Sequence, residues 1–265
     1  MGYRRGILYN RDKEVYMMFP FPRYKPLNVV LFLSIFDVEN SLLEVTLKLS
    51  FILRVTTTFR VNKIYWITDS LNSRKLEKII TDITKYALLP PYLKKYVPIS
   101  RNLKKVGLMS PLGIPYHFIF KQAVEGEIRL GYKGDFGLNK KLNSSSKTIL
   151  ITDSLKAGYI DYRGFYYTGV KNEFIDFKKV FNFDNLIIAS RSGKNPLQAK
   201  EQLTNLYNKY GLTLMIGPPT GNLLQRLGKQ YLDKSYNFVI KQGVSDIRAE
   251  EALAYSLSIL NLLLS

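Results

Sequence analysis

The sequence predicts an α/β protein: a parallel sheet covered by helices and interrupted by a small antiparallel β-barrel. Three observations carry that expectation. Five short apolar runs are continuous rather than alternating, which suits strands buried on both faces. Segments with helical spacing lie between them, and strand–helix alternation is the pattern of an α/β sheet. From about residue 89 to residue 182 the helical spacing stops, and short β-rich pieces punctuated by glycines take its place.

The expected strands lie at residues 29–35, 64–68, 186–190, 212–216 and 237–240. Leu43, Leu47, Phe51 and Val55 recur every four residues and predict a helix with one buried stripe. A second helix is expected over 71–88, stopped by Pro90 and Pro91. A third runs over 196–210, with Pro196 at its start and Gly211 just past its end. Leu253, Leu257, Leu260 and Leu264 mark the last. The α/β domain is therefore expected over residues 1–88 and 183–265, and the inserted barrel over 89–182.

Charge narrows the partners. The chain of 265 residues carries 39 basic and 21 acidic residues, a formal net charge of +18. Such an excess favours a polyanion, because neutralised phosphates release counterions. In the insert, aromatics including Tyr116, Phe118, Phe120, Tyr132, Phe136, Phe165 and Tyr167 are interleaved with Lys121, Arg129, Lys140, Lys141 and Lys147. Aromatic rings stack on unpaired bases while cations follow the phosphates; equally, the rings fill a barrel and the lysines form a solvated face.

No cysteine is present, which excludes disulfides, thiolate metal sites and cysteine nucleophiles, and the single histidine, His117, makes a histidine-rich metal site unexpected. Arginines and lysines break up the first 26 residues, so a secretory signal is not expected. The longest apolar stretch, 253–264, is interrupted by serines and an asparagine and is too short to span a bilayer. A soluble, cytoplasmic protein is expected. Trp66 reads as core.

Two turns stand out near the C-terminus. Gly217-Pro218-Pro219-Thr220-Gly221 follows the run at 212–216, and Lys241-Gln242-Gly243 follows the run at 237–240. The second leads into a helix whose first turn carries Glu250 and Glu251, acids that suit the unpaired N–H groups there. Two such turns after buried strands suggest a pocket at the strand ends. Ser190-Arg191-Ser192-Gly193-Lys194 lacks the spacing of a nucleotide P-loop and reads as a pocket rim with a basic edge.

Four stretches carry a family resemblance: Lys48–Arg54 continuing through Phe59-Arg60-Val61; Leu89-Pro90-Pro91-Tyr92-Leu93-Lys94-Lys95 with Gly107, Pro111, Pro115 and His117; the Gly217–Gly221 turn; and the segment from Gln242 to Ala252. Together they resemble the SPOUT-class RNA methyltransferases of archaea and eukaryotes with an inserted OB-like barrel, a group associated with uridine N3 methylation. The chain departs from that pattern at Pro218, Thr220, Lys241 and Val244-Ser245-Asp246. Backbone cradling survives such changes better than side-chain contacts.

The resemblance implies a C-terminal trefoil knot, an exception to the usual absence of knots, and a homodimer. It implies S-adenosylmethionine as cofactor, held by Ser190, Arg191, Ile216, Gly217, Pro218, Gly221, Ile240, Gln242, Gly243, Ile247 and Ala252. RNA, ribosomal RNA by the likeness, is the implied partner, with Arg60, Lys121, Arg129, Lys140, Lys141 and Lys147 as binding residues and no metal. Methyl transfer from a sulfonium needs alignment of donor and acceptor and loss of the acceptor's proton. Arg54 is the implied cation near the target atom, and Asp246, Glu250 and Glu251 are candidate bases. A knotted RNA-binding or assembly factor, and a 2′-O ribose methyltransferase, are the alternatives.

Overall fold

The computed structural model describes residues 7–10 and 13–16 by their backbone, and residues 21–117, 123–144, 146–153, 156, 158–220 and 223–265 in full. In chain order come β1 (Ile7–Asn10), β2 (Lys13–Tyr16), β3 (Leu27–Phe32), α1 (Leu42–Thr58), β4 (Lys63–Ile67) and α2 (Ser73–Ala87). Three short strands follow, β5 (Ile128–Leu130), β6 (Thr148–Asp153) and β7 (Gly158–Asp161). The rest is β8 (Lys171–Ile175), β9 (Leu186–Lys194), α3 (Lys200–Tyr210), β10 (Leu212–Ile216), α4 (Leu223–Leu227), β11 (Ser235–Tyr236) and α5 (Ala249–Leu263). The chain divides into two compact units.

The larger unit comprises Arg23–Ala87, Ile99–Leu112 and Gly169–Ser265. Its six strands form a parallel sheet in the order β11-β9-β10-β3-β4-β8. The central strands are the continuous apolar runs, and β10 is buried along its whole length. Trp66 on β4 is fully buried, 5.8 Å from the Phe36 ring between centroids. Its indole N–H donates to Asn172 Oδ1 (2.9 Å), and the Asn172 amide donates to Thr84 Oγ1 (2.8 Å). One polar relay thus joins β4, the edge strand β8 and α2 at the side of the apolar core.

Helix α1 opens with a capping box: Ser41 Oγ accepts from the Glu44 N–H, and the Glu44 carboxylate accepts from the Ser41 N–H. Its buried face is Val45, Leu49, Ile52 and Leu53 rather than the expected stripe, of which Leu47 and Phe51 stand 45% and 43% exposed. The helix has apolar residues on most sides, so four-residue spacing alone did not say which side meets the sheet. On α5 the expected Leu253, Leu257 and Leu260 are buried.

Three strand expectations need correction. Residues 237–240 leave the sheet after β11, because Asn237 Oδ1 accepts the Val239 N–H and closes a local turn. Residues 190–193 are not a loop but the outward continuation of β9. β8, inside the stretch expected to be barrel, pairs in parallel with β4 at the sheet edge.

The smaller unit comprises Leu88–Pro98 and Gly113–Thr168 together with the antiparallel hairpin β1–β2. β5, β6 and β7 form an antiparallel sheet over a core of Phe136, Leu142, Ile149 and Ile151. The buried Tyr116 hydroxyl reaches the carbonyls of both Leu88 (2.8 Å) and Thr168 (3.0 Å), the incoming and outgoing ends of this unit. Burial pushes that phenol well above the usual tyrosine pKa. No helix among the described residues is long and apolar enough to cross a membrane.

Candidate functional site

A cleft of about 670 Å³ opens in the larger unit beyond the carboxyl ends of β3 and β10 and beside the outer half of β9. β3 leads through α1 to β4 on one side, whereas β10 leads through α4 to β11 on the other. Connections diverging from neighbouring strands leave a crevice between them, the usual ligand position in an open parallel sheet. The walls are Ile35 and Val38 after β3, Ala189–Arg191 of β9, Ile216–Pro219, the 237–248 segment and the first turn of α5.

Three charged side chains line this cleft on its α1 side. The Lys48 ammonium is ion-paired with Glu39, donates to the Ile35 carbonyl (2.8 Å) and lies 4.0 Å from the Glu250 carboxylate. The side chains of Lys48, Glu39 and Glu250 are only 8%, 15% and 12% exposed. At the rim, Arg191 Nη1 donates to the Ser245 carbonyl (2.9 Å), and the Gln242 amide donates to the carbonyls of Val244 (2.9 Å) and Ser245 (3.0 Å). The Asn237 amide donates to the Arg191 carbonyl (2.8 Å). These bonds fix the 237–248 turn against β9. A second cavity, of about 760 Å³, shares Ser190 and Arg191 and is otherwise lined by residues including Leu223, Gln225 and Lys229.

Of the residues expected around a cofactor, Ser190, Arg191, Ile216, Gly217, Pro218, Gln242, Ile247 and Ala252 line the cleft, as do Asp246 and Glu250. Ile240 and Gly243 are outside its wall, and Gly221 lies outside the described residues. A Cβ added to Gly243 meets nothing within 4 Å, so no close backbone approach depends on that glycine. The left-handed residue of the turn is Lys241, at φ 57°. Close approach is instead required at Gly193, where a Cβ would sit 2.4 Å from the Tyr236 nitrogen.

Arg54 is not at the cleft. It lies six residues beyond Lys48, about 240° round the helix, and its Nη1 donates to the carbonyls of Pro111 and Leu112, both at 2.7 Å. One turn earlier, Ser50 Oγ accepts from the Ser110 N–H (3.0 Å). Together they pin the 99–112 segment to α1. Arg54→Ala is expected to cost about 1–2 kcal/mol and to speed amide exchange within 99–112. Unchanged exchange there would remove the anchoring role.

In the smaller unit Arg129 is buried, with Nε and Nη2 on the Glu127 carboxylate (2.9 and 2.7 Å) and Nη1 on the Gly137 carbonyl (2.8 Å). It is a buried ion pair of this unit rather than an exposed cation. Lys140, Lys141 and Lys147 are exposed, and Lys121 lies outside the described residues. Arg60, in the larger unit, is half-buried with φ 53°. Tyr116, Phe136 and Tyr167 fill the core, whereas Phe165 and Tyr132 are 85% and 48% exposed; Phe118 and Phe120 lie outside the described residues. His117 is packed: its Nε2–H donates to the Leu88 carbonyl (3.1 Å), and burial lowers its pKa below the usual value.

Sequence reasoning missed Glu39 and Lys48 as cleft residues. The available signal was a lysine at the edge of the buried face of α1, beside Leu49 and Ile52.

A parallel sheet with a partly charged crevice where its connections diverge defines an α/β protein with a ligand cleft at the strand ends. A family model described as "Putative RNA methyltransferase" matches residues 27–161, just over half of the chain, and the chain belongs to that family. The matched range runs from β3 through β7 and stops before β9, so Glu39 and Lys48 fall inside it while the 189–256 walls fall outside. Among curated proteins the comparison finds no match.

Proposed function

We propose that the protein is an S-adenosylmethionine-dependent RNA methyltransferase acting on N3 of a uridine in ribosomal RNA. The observation that carries this reading is the switch-point cleft in a chain of the RNA methyltransferase family: its volume is that of a cofactor pocket, and turns supply much of its wall. S-adenosylmethionine, when bound, supplies the methyl group as an electrophile. Gly217 and Pro218 would hold it through turn backbone, Ile216, Ile247 and Ala252 through apolar contact, and Ser190, Arg191 and Gln242 at the polar rim. Asp246, exposed and lining the cleft, is the proposed acceptor of the uridine proton.

The reading extends to architecture. After β10 the chain crosses β9 to pair β11 with its far edge, and α5 then returns to pack on α1, α3 and β10, a path that supports a threaded, knotted tail. The small antiparallel sheet is proposed to be part of an OB-like barrel that docks RNA. Leu47 and Phe51 on α1 and Tyr255 and Leu262 on α5, all exposed, are the proposed surface for a second copy.

Titration calorimetry with S-adenosylmethionine tests the reading, and no binding at millimolar ligand would leave an RNA-binding factor in its place. Nucleoside mass spectrometry of treated RNA is expected to show a methylated uracil base; a ribose-methylated product would replace N3 by 2′-O chemistry. Replacing Lys140, Lys141 and Lys147 together is expected to flatten the slope of log affinity against log salt by about two units, at about 0.7 per lost phosphate contact. An unaltered slope would move RNA docking off that face.

A further inference from the structure

The charge count around Lys48 does not close. Two carboxylates, Glu39 and Glu250, share one ammonium, and all three side chains are largely shielded from water at the wall of the cleft. Lys48 is committed to Glu39 and to the Ile35 carbonyl. Glu250 is left with Lys48 at 4.0 Å as its sole side-chain partner among the described residues. The other charged groups on the cleft wall are Arg191, Asp246 and Arg248, all exposed. A nearly buried carboxylate without a close partner is costly, and the cost is relieved when a cation enters beside it.

We infer that Glu250, with Glu39 and Lys48, gives the shielded α1 side of the cleft a residual negative charge that selects a cationic methyl donor over its neutral-sulfur product. The inference rests on the reading that the cleft binds S-adenosylmethionine, and it adds how that donor is distinguished from S-adenosylhomocysteine. The two ligands share adenosine, ammonium and carboxylate, and differ by a methyl group and the positive charge on sulfur. Over the whole wall the exposed Arg191, Arg248 and Asp246 bring the formal count to zero, but exposed charges are screened by water and salt, whereas the shielded cluster is screened much less. A shielded cluster carrying one uncompensated carboxylate binds the sulfonium more tightly and lets the spent cofactor leave.

The test is calorimetric affinity for S-adenosylmethionine, S-adenosylhomocysteine and sinefungin, whose ammonium-bearing carbon stands in for the sulfonium. Wild type, Glu250→Gln and Glu39→Gln are compared. Wild type is expected to favour the two cationic ligands by about tenfold, equivalent to about 1.4 kcal/mol. In Glu250→Gln that preference is expected to fall to about one, with S-adenosylhomocysteine affinity changed less than about twofold. Glu39→Gln frees Lys48 to neutralise Glu250 and is expected to lose the preference as well, which keeps the test intact should Glu250→Gln fold poorly. Equal wild-type affinities, a preference that survives both variants, or an equal loss for all three ligands would each overturn the inference while the cofactor reading stands. If wild type binds none of the three, the cofactor reading itself fails and takes this inference with it.

Discussion

Trp66→Ala is expected to lower the stability of the larger unit by about 4 kcal/mol, the range for emptying a fully buried aromatic site. Two losses add. The indole packs against Phe36 between β4 and the elements above it, so truncation opens a cavity that a six-strand sheet cannot collapse to fill. The partly buried Asn172 Oδ1 also loses its donor. At about 2–4 °C per kcal/mol for a chain of this size, the melting temperature should drop by about 10 °C. Trp66→Phe keeps most of the packing and isolates the second loss, at about 1–2 kcal/mol. A Trp66→Ala loss below 1 kcal/mol, on the order of a surface change, would mean the core is not organised around this ring.

Lys48→Met is expected to cost about 3 kcal/mol, because it leaves two shielded carboxylates without their shared cation. The apolar part of the side chain is retained, so the loss reports charge rather than packing. Adding Glu39→Gln should recover part of it, since only Glu250 then lacks a partner. Chemical denaturation of the two single variants and the double variant forms the cycle, and strict additivity would show that the two side chains are not coupled.

The central strands were readable because a parallel sheet buried on both faces leaves unbroken apolar runs, as at 212–216. β8 was not readable. Its Lys171-Asn172-Glu173-Phe174-Ile175 mixes polar and apolar residues because it is an edge strand, with Lys63 on β4 ion-paired to Glu173. The run at 237–240 misled for the opposite reason: it is apolar, yet an Asn side chain captures the backbone N–H that a ladder would need. The turns of the cleft announced themselves through glycine and proline, which mark backbone punctuation. Of the shielded charges on its wall only Glu250 was legible, from the helix start; its partners Glu39 and Lys48 were not, because Glu39 and Glu250 lie more than two hundred residues apart and meet only through the fold. Arg54 drew attention by its motif, but helical geometry turns it away from Lys48, toward the carbonyls of residues 111 and 112.

The stretch Ile99–Leu112 lies in sequence between two of the smaller unit's three segments but belongs to the larger one, held by Ser50 and Arg54. The smaller unit is therefore no cassette. Cutting the chain at residues 88 and 168 and closing the gap with a linker would also strip α1 of this cover. An engineer exchanging the smaller unit for another must splice at five junctions, after residues 22, 87, 98, 112 and 168.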